Sequence, residues 1–316
     1  MTAVAFGAFA LILAGPAPAW LSRAQWPLRA PRAAMALWQS VALAAVLSAF
    51  SCGLAIAANL LVPGPDGRPT TNPFDEIRSL GVVLWTVYVA VFVLTLVIGA
   101  RLMYTVVRVA VKTRARRAAH RHLIDLLDRF DRSGCDRQLL ARDVRMLEVD
   151  EPMAYCLPGL RRRVVLSAGA VARLSHDELE AVIAHERAHL RARHDLVLEA
   201  FIAVHESFPR FIRSGSALDA VRLLVELLAD DHAVRATGPT PLGRALVACA
   251  DSTAPRGALA VGGPTTLVRV RRLAHDRHGP VVSALAYLTA AGILVFPTMA
   301  VAVPWLTELH RLITAG

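Results

Sequence analysis

Charged residues are scarce in this sequence, and four long stretches contain none at all. Acidic and basic residues make up 19% of the 316 residues, whereas apolar residues make up 55% and the mean hydropathy is +0.46. Uncharged stretches of about 20 residues or more can cross a bilayer core as helices, and such long runs argue against the buried helices of a soluble protein. The sequence therefore predicts four membrane spans, within residues 2–21, 33–62, 80–100 and 281–306.

The first uncharged stretch has no basic residue before it. Secretory signal peptides normally begin with a positively charged region, whereas this chain begins Met1-Thr2-Ala3-Val4. Small residues at 17–19 would suit a cleavage site, but the nearest arginines follow the stretch instead of preceding it. We therefore expect the first stretch to remain as a membrane span.

Basic residues are concentrated on one side of the predicted spans. The connection 22–32 contains three arginines and no acid, the connection 63–79 mixes acids with arginines, and a dense basic run begins at Arg101. Arginine and lysine favour the cytoplasmic side, so we expect both termini outside the cell and residues 104–279 in the cytoplasm. Because topology and contact with anionic lipid explain the net charge of +10, nucleic-acid binding is not expected.

Cysteines are few and widely spaced. No two of them form a CxxC pair, which argues against a cysteine zinc site, and a reducing cytoplasm argues against disulfides. We interpret all four as packing residues: Cys52, Cys135, Cys156 and Cys249.

The chain between the third and fourth stretches is long enough for one compact domain. The expected fold is mainly α, with four membrane helices and a cytoplasmic α+β zincin-like domain that carries a small β hairpin or sheet. The predicted parts are a membrane region 1–103 with spans at about 2–21, 36–62 and 80–103, a cytoplasmic metalloprotease domain 104–279, and a fourth span with a short tail at 280–316.

A small β region is predicted early in this domain. The run 144–149 is short and apolar, and the segments 153–157 and 163–167 flank a Pro158-Gly159 turn, as the two strands of a hairpin do. A strand beside a peptidase cleft can bind substrate backbone, although an ordinary structural hairpin explains the same residues equally well. The possible substrate strand is Ala154, Tyr155 and Cys156.

A histidine pair on a mostly apolar helix is the main functional signal. Ser175 and Glu178 form a capping box, which predicts the start of a helix that continues to about residue 208. His185 and His189 lie one turn apart on one face of that helix, so both imidazoles can bind one metal ion. Glu186 can then act as the general base for an attacking water, which is the arrangement of a zinc peptidase.

A catalytic zinc ion usually has three protein ligands, so one more is needed. The metzincin pattern would place a third histidine at position 195, but that residue is Asp195, and His194 is one residue early. A second helix, expected from Ser216 to before Gly238, offers Glu226 instead.

Asp230 lies one turn after Glu226 and could accept a hydrogen bond from a ligand imidazole. A surface pair beside Arg222 is the alternative for these two acids, and the histidine pair upstream favours the metal site. The spare candidates, each better explained as structural or exposed, are Asp231, His232, His194 and His205.

These motifs resemble the membrane gluzincin peptidases of families forty-eight and fifty-six, which include the HtpX and CAAX prenyl protease group and the BlaR/MecR antirepressor group. Those families pair HExxH with a later Glu-x-x-Ala-Asp-x-x-Ala and place an Ala-Tyr step and a Pro-Gly turn before a Val-Val-Leu-Ser strand. The matching residues are Glu226, Ala229, Asp230, Ala233, Ala154-Tyr155, Pro158-Gly159 and 164–167.

The resemblance implies that His185, His189 and Glu226 bind zinc, that Glu186 activates water, and that Asp230 supports the site. The antirepressor group also has its protease domain between the third and fourth spans. Many relatives carry a histidine that stabilises the oxyanion, but here 262–266 contain none, which leaves Tyr155, His232 and Arg269 open for that role. The residues after the fourth span are too few for the penicillin-binding sensor of the best-known antirepressor receptors, so a complete receptor of that kind is not expected.

The sequence thus predicts an integral membrane zinc metalloendopeptidase with one catalytic Zn²⁺, which hydrolyses peptide bonds of protein substrates at the cytoplasmic face. The antirepressor likeness implies a transcriptional repressor as substrate, and the alternative is HtpX-like membrane protein quality control. A catalytically silent receptor of the same fold is a further alternative, but it would not need Glu186. A metal transporter would be expected to carry ionisable residues within its spans, where this chain has none.

Overall fold

The protein is described by a computed structural model. It describes residues 2–60, 62–63, 69–70, 72–127, 143–159, 162–207, 215–250, 259–260, 265–274 and 280–314.

Long apolar helices dominate the described chain. The first half comprises α1 (Thr2–Ala14), α2 (Pro16–Arg23), α3 (Trp26–Arg29), α4 (Pro31–Ala57) with a 3₁₀ turn (Ala58–Leu60), strands β1 (Val62–Pro63) and β2 (Pro69–Thr70), and α5 (Pro73–Leu127). The last long helix is α12 (Pro280–Thr314). Four segments are long and apolar enough to cross a membrane: Ala3–Arg23, Pro31–Leu60, Pro73–Ile124 and Pro280–Met299. The prediction of a mainly α fold with four membrane helices is therefore confirmed.

Helix α5 is much longer than a membrane span requires. Its 55 residues at about 1.5 Å each exceed the roughly 30 Å of a bilayer core more than twofold. The helix is interrupted at Gly81, whose φ of 78° is available to glycine at little cost. Its C-terminal part consequently extends beyond the predicted third span and packs against the helix that follows the histidine pair.

A four-stranded sheet follows α5. Its strands are β3 (Val144–Leu147), β4 (Ala154–Leu157), β5 (Arg163–Ser167) and β6 (Leu259–Ala260), in the spatial order β3-β5-β4-β6. β4 and β5 form the predicted antiparallel hairpin, whereas β3 pairs with β5 in parallel. Alternate residues of β4 point to opposite faces, so Cys156 packs toward the helices of the main core while Tyr155 packs toward Ile124 of α5.

The described residues between α5 and α12 contain six helices. They are α6 (Ala168–Arg173), α7 (His176–Ala192), α8 (His194–Ser207), α9 (Gly215–Thr237), α10 (Pro239–Ala248) and α11 (Thr266–Leu273). The predicted helix from Ser216 to Gly238 is confirmed as α9. The predicted single helix from 176 to about 208 is wrong, because Arg193 adopts a left-handed conformation (φ 54°, ψ 41°) and separates α7 from α8. Residues 208 and 209 lie outside the described chain.

Two apolar clusters position α7 and α9. The first packs the sheet against α7 and α10, with Val182 of α7 and Leu166 of β5 both fully buried. The second packs α9 against α4 and includes Leu224 of α9 and Trp38 of α4. Helix α9 therefore lies between the helix of the histidine pair and the membrane helices.

Candidate metal centre

The capping box at the start of α7 fixes where the histidine pair lies. The Ser175 hydroxyl accepts a hydrogen bond from the backbone N–H of Glu178, and the Glu178 carboxylate accepts one from the backbone N–H of Ser175. Nine residues after Glu178, Arg187 forms two hydrogen bonds to the Asp143 carboxylate, at 3.0 and 2.8 Å, which connect the helix to the start of β3. His185 and His189 consequently point inward and are 0% and 1% exposed.

Three side chains from α7 and α9 converge in the interior. The Nε2 atoms of His185 and His189 are 3.1 Å apart. They lie 3.4 and 3.6 Å from the two carboxylate oxygens of Glu226 on α9. All three ligand atoms lie within 4.8 Å of one another, so one cation could contact them together. Two imidazoles and one carboxylate form a donor set that catalytic zinc sites use.

Asp230 and Arg269 support this cluster from behind. Asp230 Oδ1 lies 3.0 Å from Nδ1 of His185, the nitrogen that faces away from the cluster. Arg269 of α11 donates to both oxygens of Asp230, at 2.9 and 2.6 Å, and its Nη1 lies 3.1 Å from Glu226. Both Asp230 and Arg269 are 1% exposed, so each charge has lost most of its hydration and is balanced by the other.

The protonation of the two histidines indicates a site that suits a cation. Burial alone would lower the pKa of His185, but the carboxylates of Asp230 and Glu226 raise it to about 9. Burial lowers the pKa of His189 to about 3, and the charge on His185 adds to this effect. The carboxylates of Asp230 and Glu226 thus favour a positive charge at this point, and a metal ion could supply it.

Glu186 is a buried carboxylate without a hydrogen bond. It is 0% exposed, and neither of its oxygens has a hydrogen-bond partner among the described residues. Burial raises the pKa of Glu186 to about 7, with the Glu226 charge acting in the same direction and His185 opposing it. Burial and the charge of Glu186 also raise the pKa of the Cys156 thiol well above its usual value, which keeps this thiol neutral. Orphaned buried oxygens of this kind are expected where a reacting molecule completes the site.

His194 occupies a position that sequence reasoning discounted. Its Nδ1 lies 3.0 Å from Nδ1 of His189, and it is 5% exposed. Burial lowers the pKa of His194 to about 4, so it is a neutral imidazole at physiological pH. The only sequence signal was its spacing of five residues from His189, which a continuous helix would have placed on a different face.

The three residues considered as oxyanion partners lie in different parts of the structure. Tyr155 points to the face of the sheet that packs on α5, where its hydroxyl lies 3.1 Å from His120 Nε2. His232 lies on the outer side of α9 with Arg191 and Arg235. Arg269 alone of the three lies beside the metal cluster, where it is already engaged with Asp230 and Glu226.

The possible substrate strand is central in the sheet. Ala154, Tyr155 and Cys156 are 3%, 0% and 0% exposed. The edge of β4 that is not paired with β5 is covered by β6, with Tyr155 opposite Ala260 and Cys156 opposite Leu259. A substrate strand could pair with this edge at Tyr155 and Cys156 only in the place of β6, and the role of β4 in substrate binding stays a prediction.

Comparison with protein families decides the kind of protein. The family model described as BlaR1 peptidase M56 matches residues 25–208, which is more than half of the chain. The chain belongs to the BlaR1 peptidase family. The match runs from α3 through α8 and includes the whole of α7, whereas Glu226, Asp230 and Arg269 follow it in the sequence. No curated protein and no solved structure matches the chain.

Membership of this family gives the buried cluster a chemical context. The BlaR1 peptidases are membrane metallopeptidases, and the four long apolar helices of this chain agree with a membrane location. The cluster of His185, His189 and Glu226 could bind a metal ion.

Proposed function

We propose that this protein is an integral membrane zinc endopeptidase in which His185, His189 and Glu226 bind one zinc ion and Glu186 is the general base. The observation that carries the proposal is the convergence of three ligand atoms, within 4.8 Å, beside a buried carboxylate that has no hydrogen bond. A structural ion pair would explain the cluster, but it would not explain why Glu186 is left unpartnered at 0% exposure. A catalytic site explains both features.

The donor set fits zinc better than a harder cation. Magnesium and calcium prefer oxygen ligands, whereas two imidazole nitrogens and one carboxylate are usual for catalytic zinc. A bound zinc ion would lower the pKa of water toward about 7 and polarise the substrate carbonyl. Three protein ligands leave a coordination position open for this chemistry.

Glu186 performs the proton transfers in this proposal. Glu186 is fully buried and directly follows the proposed ligand His185, so a zinc ion at the cluster would favour the ionised form of Glu186, which is the form that accepts a proton. Its carboxylate takes a proton from the attacking water and then gives that proton to the leaving amine. Because neither oxygen has a partner among the described residues, no hydrogen bond needs to be broken first.

Asp230 and Arg269 position the ligands. Asp230 fixes the orientation of the His185 ring from the side opposite the cluster, at 3.0 Å. Arg269 balances the charge of Asp230 and lies 3.1 Å from Glu226, so that the carboxylate ligand is also held in place. Such partners behind the ligands orient them and tune the metal.

We further propose that residues 104–279 form a cytoplasmic metalloprotease domain between the third and fourth spans. The distribution of arginines supports this orientation, because a basic run follows the third span from Arg101 onward. The apolar centres of the four spans carry no charged residue. A reporter fused after Ser214 should behave as cytoplasmic. An external signal from that fusion would contradict the orientation.

A cytosolic transcriptional repressor is the substrate we propose. The match to the BlaR1 peptidase family supports this choice, because the antirepressor group acts on repressors. Quality control of membrane proteins, as in HtpX, is the second candidate. The intact Glu186 beside a complete ligand set speaks against a silent receptor, which has no use for the base.

Replacing Glu186 with glutamine tests the catalytic proposal. Purified E186Q protein in detergent should bind zinc as the unaltered protein does, while cleavage of a repressor-type substrate stops. Glu180 lies on the same helix and is exposed, so E180Q is the matched control and should retain cleavage. Unchanged cleavage by E186Q would show that Glu186 is not the base.

A further inference from the structure

The outer nitrogen of the second histidine of the pair faces another histidine. We propose that His194 is a positioning residue that holds the imidazole of His189 through a hydrogen bond between their Nδ1 atoms and so directs Nε2 to the metal. The proposal rests on the metal site proposed above. It assigns His194 a role that neither the family match nor the HExxH pattern assigns.

The break between α7 and α8 makes this contact possible. Residues five positions apart on a continuous α-helix differ by about 140° around the axis, so His189 and His194 could not face each other. The left-handed conformation of Arg193 ends α7, and its backbone N–H donates to the carbonyl of His189. Helix α8 then begins at His194, whose ring contacts the ring of His189.

Burial and distance show a specific contact between the two rings. The two Nδ1 atoms are 3.0 Å apart, and the ring planes are nearly perpendicular at 82°. His189 is 1% exposed and His194 is 5% exposed, so water does not compete for this hydrogen bond. A buried hydrogen bond holds its two partners more firmly than an exposed one. Breaking it would leave a buried polar group without a partner, which is costly.

The direction of the hydrogen bond follows from the ligand role of His189. Its Nε2 points into the cluster with His185 and Glu226, so in the neutral ligand the proton must be on Nδ1. His189 is then the donor and His194 Nδ1 is the acceptor. His194 does not act as a further ligand, because it faces the outer nitrogen of His189 and not the Nε2 atoms that converge.

The two ligand histidines consequently have different outer partners. His185 faces the carboxylate of Asp230, which carries a charge balanced by Arg269. His189 faces a neutral imidazole. A neutral acceptor fixes the ring without adding negative charge to the site, so His194 orients its ligand while leaving the net charge of the metal centre unchanged.

A buried ion cluster anchors the turn that carries His194. The neighbouring Asp195 lies 3.0 Å from Arg117 of α5, and Glu199 lies 2.7 Å from the same guanidinium. All three side chains are at most 11% exposed. The first turn of α8 is thereby fixed to the extension of the third predicted span, which restricts the movement of His194 relative to His189.

Three near-isosteric substitutions at His194 test the proposal. The Oδ1 atom of asparagine or aspartate is attached to Cγ as Nδ1 of histidine is, so H194N and H194D keep an acceptor, whereas H194L offers a methyl group there. Metal affinity is measured on the full-length protein in detergent, by competition for Zn²⁺ with a chromophoric chelator. The spectrum of the Co²⁺-loaded protein reports the ligand geometry. His232 on the outer side of α9 provides the control substitution, H232L.

We expect H194L to weaken zinc binding by about 10- to 100-fold, the range for loss of a partner behind a ligand, and to alter the cobalt spectrum. H194N and H194D should bind zinc much more tightly than H194L, and H232L should bind as the unaltered protein does. Equal affinity in folded H194L and H194N would overturn the proposal. If H194L does not fold, H194N and H194D test the proposal by themselves. Weak zinc binding by both of these variants, when folded, would also overturn the proposal. If the unaltered protein itself binds no zinc, the proposed function fails instead.

Discussion

Replacement of Glu186 by glutamine should stabilise the metal-free protein while it abolishes catalysis. The carboxylate is 0% exposed, and burial raises its pKa from 4.5 to about 7. Ionising this group in the folded protein is therefore unfavourable. Glutamine resembles the neutral acid in size and polarity, so it removes the cost of ionisation without creating a cavity.

The magnitude and its pH dependence follow from the shift in pKa. A raised carboxyl pKa means that the folded protein loses stability as the pH rises from the unfolded value of 4.5 to the folded value of about 7. At pH 7 to 8 the loss is about 3 kcal/mol, and at pH 5 it is about 1 kcal/mol. The advantage of E186Q should accordingly be largest above neutrality and should shrink as the pH is lowered.

Thermal unfolding in detergent, followed by tryptophan fluorescence in the presence of a chelator, measures this difference. About 3 kcal/mol corresponds to a rise in apparent melting temperature on the order of 6–12 °C. E180Q, an exposed change on the same helix, should shift it little. Saturating zinc should reduce the gain, because the cation offsets the charge of Glu186. If E186Q is no more stable at pH 8 with chelator, the carboxylate is not buried and unpartnered as argued.

Three further substitutions probe the surroundings of the site. E226Q should weaken zinc binding in a chelator competition because it removes the charged ligand, and undiminished affinity would exclude Glu226 as a ligand. R269M should lower the unfolding free energy by about 3–5 kcal/mol, since it leaves Asp230 buried without its partner, and a normal melting curve would contradict this. R193G should raise stability by up to about 1 kcal/mol in denaturant unfolding, because glycine adopts the left-handed conformation without steric cost; a loss would mean that the arginine side chain stabilises the turn.

Features that depend on local sequence were predicted well. The four apolar helices follow from hydropathy over about 20 residues, and the start of α7 follows from the Ser175–Glu178 capping box. The β4–β5 hairpin was marked by its Pro158-Gly159 turn. In each case the determining residues are close together in the chain, so a single sequence contains the necessary information.

Features that depend on distant contacts were missed or left open. Arg193 is neither glycine nor proline, so the local sequence did not predict its left-handed conformation. That conformation ends α7 and brings His194 next to His189. Strand β6 has two residues and gains its order only by pairing with β4, about 100 residues earlier. Arg269 was considered for an oxyanion role, yet its ion pair with Asp230, 39 residues away, could not be read from spacing.

The spacing of the proposed metal ligands depends on two parts of the fold. His185 and His189 belong to α7, which is fixed to the sheet through the main core and the Arg187 contact with β3. Glu226 belongs to α9, where Leu224 lies nearly opposite on the same helix and shares a buried cluster with Trp38 of α4. The position of Glu226 therefore depends on the packing of α9 against the membrane helices in addition to its packing in the main core. Helix α9 also packs directly against α7, since its Ala233 belongs to the main core together with Val182. A movement of the membrane helices therefore changes the distance between Glu226 and the histidine pair only if it also shifts this contact between α7 and α9.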